Sequence, residues 1–106
     1  MKHTEINISG NMKAVEWLKA ELLSELSLLY QAMADSQESS SYAKVEDTIS
    51  SIITMSYILA RRLGMSYSSI DERIHALAMH ASANGHDLET EFSDMSALAR
   101  HIKRRG

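Results

Sequence analysis

Four acidic side chains have the types and spacing to do chemistry. Glu21 and Glu25 are four positions apart, so on a helix they share one face. Glu46 and Asp47 are adjacent, at the start of a second predicted helix, where they also suit the positive end of its dipole. A carboxylate at the edge of an apolar core needs a cation, a metal ion or polar partners. These four residues are the predicted metal ligands, and Glu21 and Glu25 are the candidate catalytic residues.

Other chemistries find little support in the sequence. There is no cysteine, which excludes disulfides, thiolate zinc sites and thiol catalysis. His75 and His80 are five positions apart and do not share a helix face, unlike the i, i+4 pair of a zinc site. The 11 basic and 14 acidic residues give a net charge of −3, which argues against nucleic acid as a partner.

Length and composition indicate one globular domain over residues 1–106. The chain is 44% hydrophobic and 24% charged, and it has no proline and four glycines, so long helices are permitted. The N-terminus has no apolar signal region, and the longest uncharged run, residues 48–60, is shorter than the roughly 20 residues that cross a bilayer. We therefore expect an all-α cytoplasmic protein without a membrane partner.

Apolar residues at spacings of three and four predict a long helical hairpin. Its helices cover residues 11–35 and 42–63, with Ser9 or Asn11 as the first cap, and a serine-rich loop at 36–41 joins them. The predicted contact stripes are Val15, Leu18, Leu22, Leu26, Leu29 and Met33 on the first helix, and Val45, Ile49, Ile52, Ser56, Leu59 and Leu63 on the second. Both helices are also apolar on other sides, which predicts a homodimer or homotetramer.

Two shorter helices are predicted after the hairpin. Gly64 should end the second helix in a left-handed conformation. The third helix should open with a capping box formed by Ser69 and Glu72, and Gly85 should follow its end. The last helix should begin near Asp94.

Several segments of this sequence resemble the MazG-like family. They are residues 21–26, 47–64 and 70–74, and the resemblance covers residues 7–74, while the tail at 92–98 resembles small MazG-like proteins for which the sequence pattern implies no activity. The resemblance implies an oligomeric all-α bundle. Active members are nucleoside triphosphate pyrophosphohydrolases that hold magnesium with E-E-x-x-E on one helix and E-x-x-D on the next.

The sequence departs from that pattern at most of its acidic positions. Glu21 and Glu25 match the first motif, but Leu22 replaces its middle acid. Thr48 and Ser51 stand where the second motif has its Glu and Asp. Only Glu25 remains of the four acids in E-x-x-E and E-x-x-D. The favoured hypothesis is therefore a MazG-like protein that has lost the magnesium-binding acids and acts as a binding or regulatory oligomer, with no cofactor assigned unless the chain is active, when it would be magnesium.

Two other functions stay open. The first is an active magnesium-dependent pyrophosphohydrolase with a relocated cluster of Glu21, Glu25, Glu46 and Asp47, in which Glu25→Ala should abolish turnover. The second is a purely structural adaptor that uses exposed apolar surface to bind a partner protein. A nucleotide or a partner protein is thus the possible ligand.

Overall fold

The computed structural model describes the backbone of residues 2–35 and 39–105, and the side chains of residues 8–35 and 42–104. The described residues form helices only, which confirms the all-α prediction. They are α1 (Lys2–Ala34), α2 (Ser39–Arg62), α3 (Tyr67–Ala83), α4 (Asp87–Phe92) and α5 (Asp94–Arg105).

The helix boundaries differ from the predicted ones in the first half of the chain. Helix α1 begins at Lys2, so Ser9 and Asn11 lie inside the helix and neither caps it. Of the predicted loop at 36–41, residues 36–38 lie outside the described residues, and residues 39–41 belong to α2. Ser39, Ser40 and Ser41 therefore extend the second helix where they were expected to precede it.

One short helix, α4, was missed, so three shorter helices follow α1 and α2 where two were predicted. It has only six residues, too few for a periodic apolar pattern. The Nδ1 atom of His86 accepts a hydrogen bond from the Leu88 amide (3.1 Å) at its start. Ser93 ends it in a left-handed conformation, with φ of 59°. Local side-chain hydrogen bonding thus defines this helix.

The ends of α2 and α3 are set by glycine and serine. Gly64 follows α2 with φ of +97°, which confirms its predicted conformation, and Gly85 follows α3 with φ of +68°. The predicted cap of α3 was wrong by one turn. Ser66 caps the helix in an extended conformation, and its Oγ accepts a hydrogen bond from the Ser69 amide (3.0 Å). Ser69 already lies inside the first turn.

The chain divides into two compact units, Met1–Gly64 and Met65–Gly106, and each is described by itself. That residues 1–106 form a single domain stays a prediction. None of the described helices is both long enough and apolar enough to span a membrane.

In the first unit α1 and α2 pack against each other as an antiparallel pair. Asn11, near the beginning of α1, donates a hydrogen bond from Nδ2 to the carbonyl oxygen of Arg62 at the end of α2 (2.9 Å). This bond satisfies one of the carbonyls that a helix end leaves free. Leu18, Ala32 and Thr48 are buried in this unit.

The helices meet on narrower faces than the sequence predicts. Asn11, Leu18 and Ala32 lie in one row of α1 at spacings of seven and fourteen, and they face α2. Leu26 and Met33 of the predicted stripe stay 43% and 47% exposed. The small side chains of Ala32 and Thr48 allow close approach there, so the larger apolar side chains lie beside the contact. The predicted stripe of α1 is therefore rotated relative to the observed contact face.

In the second unit α3 and α4 both pack on α5. Ala78 of α3 and Ala99 and Ile102 of α5 are its buried apolar side chains. The Glu89 carboxylate of α4 accepts a hydrogen bond from the Ser96 amide (2.8 Å) and a short one from the Ser96 hydroxyl. These bonds satisfy the first turn of α5, and they lower the pKa of Glu89 below its usual value.

Candidate functional site

One side of the α1–α2 pair, which we call the hollow flank, has two open depressions. Asp47 borders both. The first, about 630 Å³, is lined by Ala14, Trp17, Leu18, Asp47, Ser50, Ser51, Thr54, Met55 and Ile58. The second, about 340 Å³, is lined by Leu28, Gln31, Ala32, Asp35, Lys44, Asp47 and Thr48.

Glu25 lies in the α1 row that faces α2. It is seven positions from both Leu18 and Ala32, which are buried on this row, and its own side chain is half-buried. This position is more central than the predicted edge of the core. Glu21 is one turn earlier, about 40° round the helix toward the hollow flank, and it is also half-buried. No described residue forms a hydrogen bond or an ion pair with either carboxylate.

The two predicted acids of α2 point in different directions. Asp47 lines the hollow flank, although its side chain is exposed overall. Glu46 is exposed and lies about 100° further round the helix, away from that flank. The pair geometry therefore puts Glu21, Glu25 and Asp47 toward one side of the unit, without Glu46.

Thr48 occupies the position where the resemblance has an acid, and it is a buried side chain with 9% exposure. Its hydroxyl donates to the carbonyl oxygen of Lys44 in its own helix (2.6 Å). Ser51, at the other acidic position of that motif, is half-buried and lines the larger depression. Leu22, in the first motif, is half-buried as well. The three substituted positions are thus part of the packing of the helix pair.

The residues present do not match the ligand set that magnesium prefers. Within the described part of the chain, no three Asp, Glu or His side chains lie close enough together to hold a metal ion. Magnesium requires near-octahedral oxygen coordination, usually with carboxylates among the ligands. The assignment of Glu21, Glu25, Glu46 and Asp47 as metal ligands stays a prediction.

Trp17 is a surface feature whose position the sequence left undefined. Its apolar ring is 59% exposed and lines the larger depression, next to the hydroxyl-bearing face of α2. The signal available from sequence was its place off the apolar stripe. Only the pairing of α1 with α2 shows that Ser50, Ser51 and Thr54 lie on the same flank as Trp17.

The hollow flank lies entirely within residues 8–95, and the same range is where comparison with protein families gives a match. The matched family is described as the MazG-like family, and the match covers residues 8–95. No curated protein and no solved structure matches the chain. The family match extends well beyond residues 7–74, on which the sequence resemblance rested, and it covers most of the chain. The chain therefore belongs to the MazG-like family.

Proposed function

We propose that this MazG-like chain does not hydrolyse nucleotides and acts as a binding or regulatory helical oligomer in the cytoplasm. The observation that carries the proposal is that Thr48, at a position where the family motif has an acid, is a buried and neutral side chain. A hydroxyl at this position supplies no negative charge, and its one proton is already used by the Lys44 carbonyl. Thr48 is 9% exposed, and it borders the smaller depression with a neutral hydroxyl in place of a carboxylate.

The same argument extends to the neighbouring motif positions. Leu22 has no ligand atom, and Ser51 offers a neutral hydroxyl. Glu25 is the one remaining carboxylate of E-x-x-E and E-x-x-D. One carboxylate with neutral oxygens is a weak magnesium site, and it would neutralise little of a triphosphate-bound ion.

The test is a measurement of pyrophosphate release from a panel of nucleoside triphosphates, with and without magnesium or manganese. We expect no release above the rate without protein. Metal-dependent release by the wild-type chain that disappears in Glu25→Ala would overturn the proposal. Glu16→Ala, which changes an exposed glutamate of the same helix, controls for a contaminating hydrolase.

Binding is measured separately by thermal shift with the same nucleotides. A ligand that binds only the folded state raises the melting temperature. A nucleotide that raises it without being hydrolysed supports a binding role. A flat response across the panel favours the adaptor function, in which the ligand is a protein.

The second candidate function is hydrolysis with a relocated carboxylate cluster. It is favoured by one observation: Glu21 and Glu25 are half-buried on α1, and Asp47 borders the depressions on the side to which Glu21 is turned. This candidate predicts that Glu25→Ala and Asp47→Ala each abolish turnover. Glu46→Ala, an exposed change on the other side of α2, would then retain it.

A further inference from the structure

A cleft between α3 and α5 of the second unit is lined by charges of both signs. It has a volume of about 450 Å³, and its lining residues are Ser68, Asp71, Glu72, His75, Ile102 and Lys103. Small-molecule sites in proteins measure from about 300 to 1,000 Å³, so the cleft has room for a small organic ligand. The proposed function uses none of these residues.

The two helices supply the two signs separately. On α3, Asp71, Glu72 and His75 fall within an arc of about 100°, so both carboxylates lie on the side that lines the cleft. On α5, Lys103 lines the cleft next to Ile102, whose apolar side chain is buried. One wall of the cleft is therefore acidic, and the other carries an ammonium group beside an apolar surface.

These opposite charges do not neutralise each other. Glu72, His75 and Lys103 form no hydrogen bond or ion pair with any described residue. Asp71 already takes part in another interaction, which leaves Glu72 as the carboxylate available to a ligand. Glu72 and Lys103 are exposed, and His75 is half-buried. A small molecule that carries one positive and one negative group can pair with both walls at once.

We propose that this cleft binds a free α-amino acid in its zwitterionic form. The ammonium group of the ligand pairs with Glu72, its carboxylate pairs with Lys103, and its side chain lies against Ile102. A ring nitrogen of His75 can donate or accept a further hydrogen bond. Two carboxylates against one ammonium group leave the cleft with a surplus of one negative charge, which disfavours a polyanion such as a nucleoside triphosphate.

This inference is independent of the proposed function. The cleft belongs to the second unit, whereas the hollow flank and the substituted motif positions belong to the first. Its test involves no nucleotide. A chain that binds no amino acid leaves the hydrolysis result standing, and detection of hydrolysis leaves the cleft standing.

The test is a titration of the isotope-labelled full chain with leucine, followed by the NMR shifts of its backbone amides. We expect saturable shifts confined to residues 68–75 and 99–104. The dissociation constant should be roughly 1 mM, because exposed charge pairs contribute little each. N-acetyl-leucine lacks the positive charge and leucine amide lacks the negative one, and each should bind at least about tenfold more weakly than leucine.

Matched variants test the two walls. Glu72→Gln and Lys103→Gln each remove one charge and should weaken leucine binding at least about tenfold. Arg73→Gln and Arg104→Gln are the controls on α3 and α5, since each lies about 160° round its helix from a residue that lines the cleft. Both controls should bind leucine as the wild-type chain does.

The absence of saturable shifts at ten times the expected dissociation constant overturns the proposal. So does binding of N-acetyl-leucine or leucine amide as tight as that of leucine, because a single charge would then suffice. Circular dichroism checks that each variant remains helical. The comparison of leucine with its two analogues uses the wild-type chain alone, so it decides even if a variant loses helix.

Discussion

Glu25 combines a central position with a poor fit to its surroundings. It lies in the row of α1 that contacts α2, between the buried Leu18 and Ala32, and no described side chain pairs with it. Apart from Glu21, the half-buried positions of α1 next to it are apolar, including Leu22 and Leu29. A charged side chain in such a row contributes less to packing than leucine would. Residues retained at the expense of stability are candidates for function.

We therefore predict that Glu25→Leu stabilises the chain by about 1 kcal/mol, because leucine gains apolar burial and keeps a similar helix propensity. Chemical denaturation monitored by circular dichroism measures the change. Glu46→Leu is the control, since its side chain is exposed and should gain little. A loss of stability in Glu25→Leu would mean that the carboxylate has a stabilising partner in the folded protein.

Glu89 should make the stability of the second unit depend on pH. The hydrogen bonds from the Ser96 hydroxyl and amide lower the folded-state pKa of Glu89 below that of the unfolded chain. A lowered pKa contributes stability above the unfolded pKa, and that contribution disappears as the pH falls through the folded pKa. The chain should accordingly lose this stabilisation as the pH falls below the ordinary pKa of a glutamate.

Glu89→Gln should lower the melting temperature at pH 7 and weaken its decrease toward acid pH. Because other carboxylates titrate in the same range, the measured quantity is the difference between wild type and variant at each pH. Glu91→Gln, an exposed change on the same helix, should reproduce the wild-type curve. A Glu89→Gln curve parallel to wild type would rule out the proposed role of the carboxylate.

At the scale of the element, two serines near the start of α3 both fit a helix cap in the sequence, but they have different roles in the structure. Ser66 accepts from the Ser69 amide, whereas the Ser69 side chain lies inside the helix. Ser66→Ala should cost about 1 kcal/mol because the amide loses its acceptor, and Ser69→Ala should change stability little. Denaturation of both variants measures the difference. Equal costs would indicate that the predicted capping box at Ser69 and Glu72 also contributes.

Replacing each of two glycines by alanine should change the stability of the chain in opposite directions. Gly10 lies inside α1 with open space around it, so Gly10→Ala should stabilise by about 0.5–1 kcal/mol. Gly64 has open space too, but its φ of +97° is unfavourable for alanine, and Gly64→Ala should destabilise by about 1 kcal/mol. Thermal melts of the two variants compare the helix interior with the helix end directly. A stabilising Gly64→Ala would show that the end of α2 can change conformation.

The sequence predicts these elements well where a pattern is long. The two long helices follow from apolar spacing, and Gly64 follows from its place after a basic helix end. The six-residue α4 could not be found this way. Its ends are set by a hydrogen bond to His86 and by the left-handed backbone of Ser93, and neither feature produces a periodic apolar pattern. Ser66 was missed because another serine three positions later also fits a cap.

The candidate site was predicted in composition but not in arrangement. The residue types at Leu22, Thr48 and Ser51 already indicated a departure from the family's acidic motifs. The sequence could not show that Thr48 is buried, because helical spacing gives the width of an apolar stripe and not the part of it that touches a neighbour. Small side chains such as Ala32 determine that part.

At the scale of the whole molecule, association and stability should be linked. If only folded chains dimerise, mass action favours the folded state as the protein concentration rises. The sequence contains one tryptophan, and Trp17 lies in the first unit, so its fluorescence reports the unfolding of the α1–α2 pair. Trp17 lies on the hollow flank of that pair.

We expect the midpoint measured by Trp17 fluorescence to rise by roughly several degrees for each tenfold increase in concentration, because a tenfold change contributes about 1.4 kcal/mol per dimer. A wild-type midpoint that stays constant with concentration would mean that the α1–α2 pair gains no stability from association.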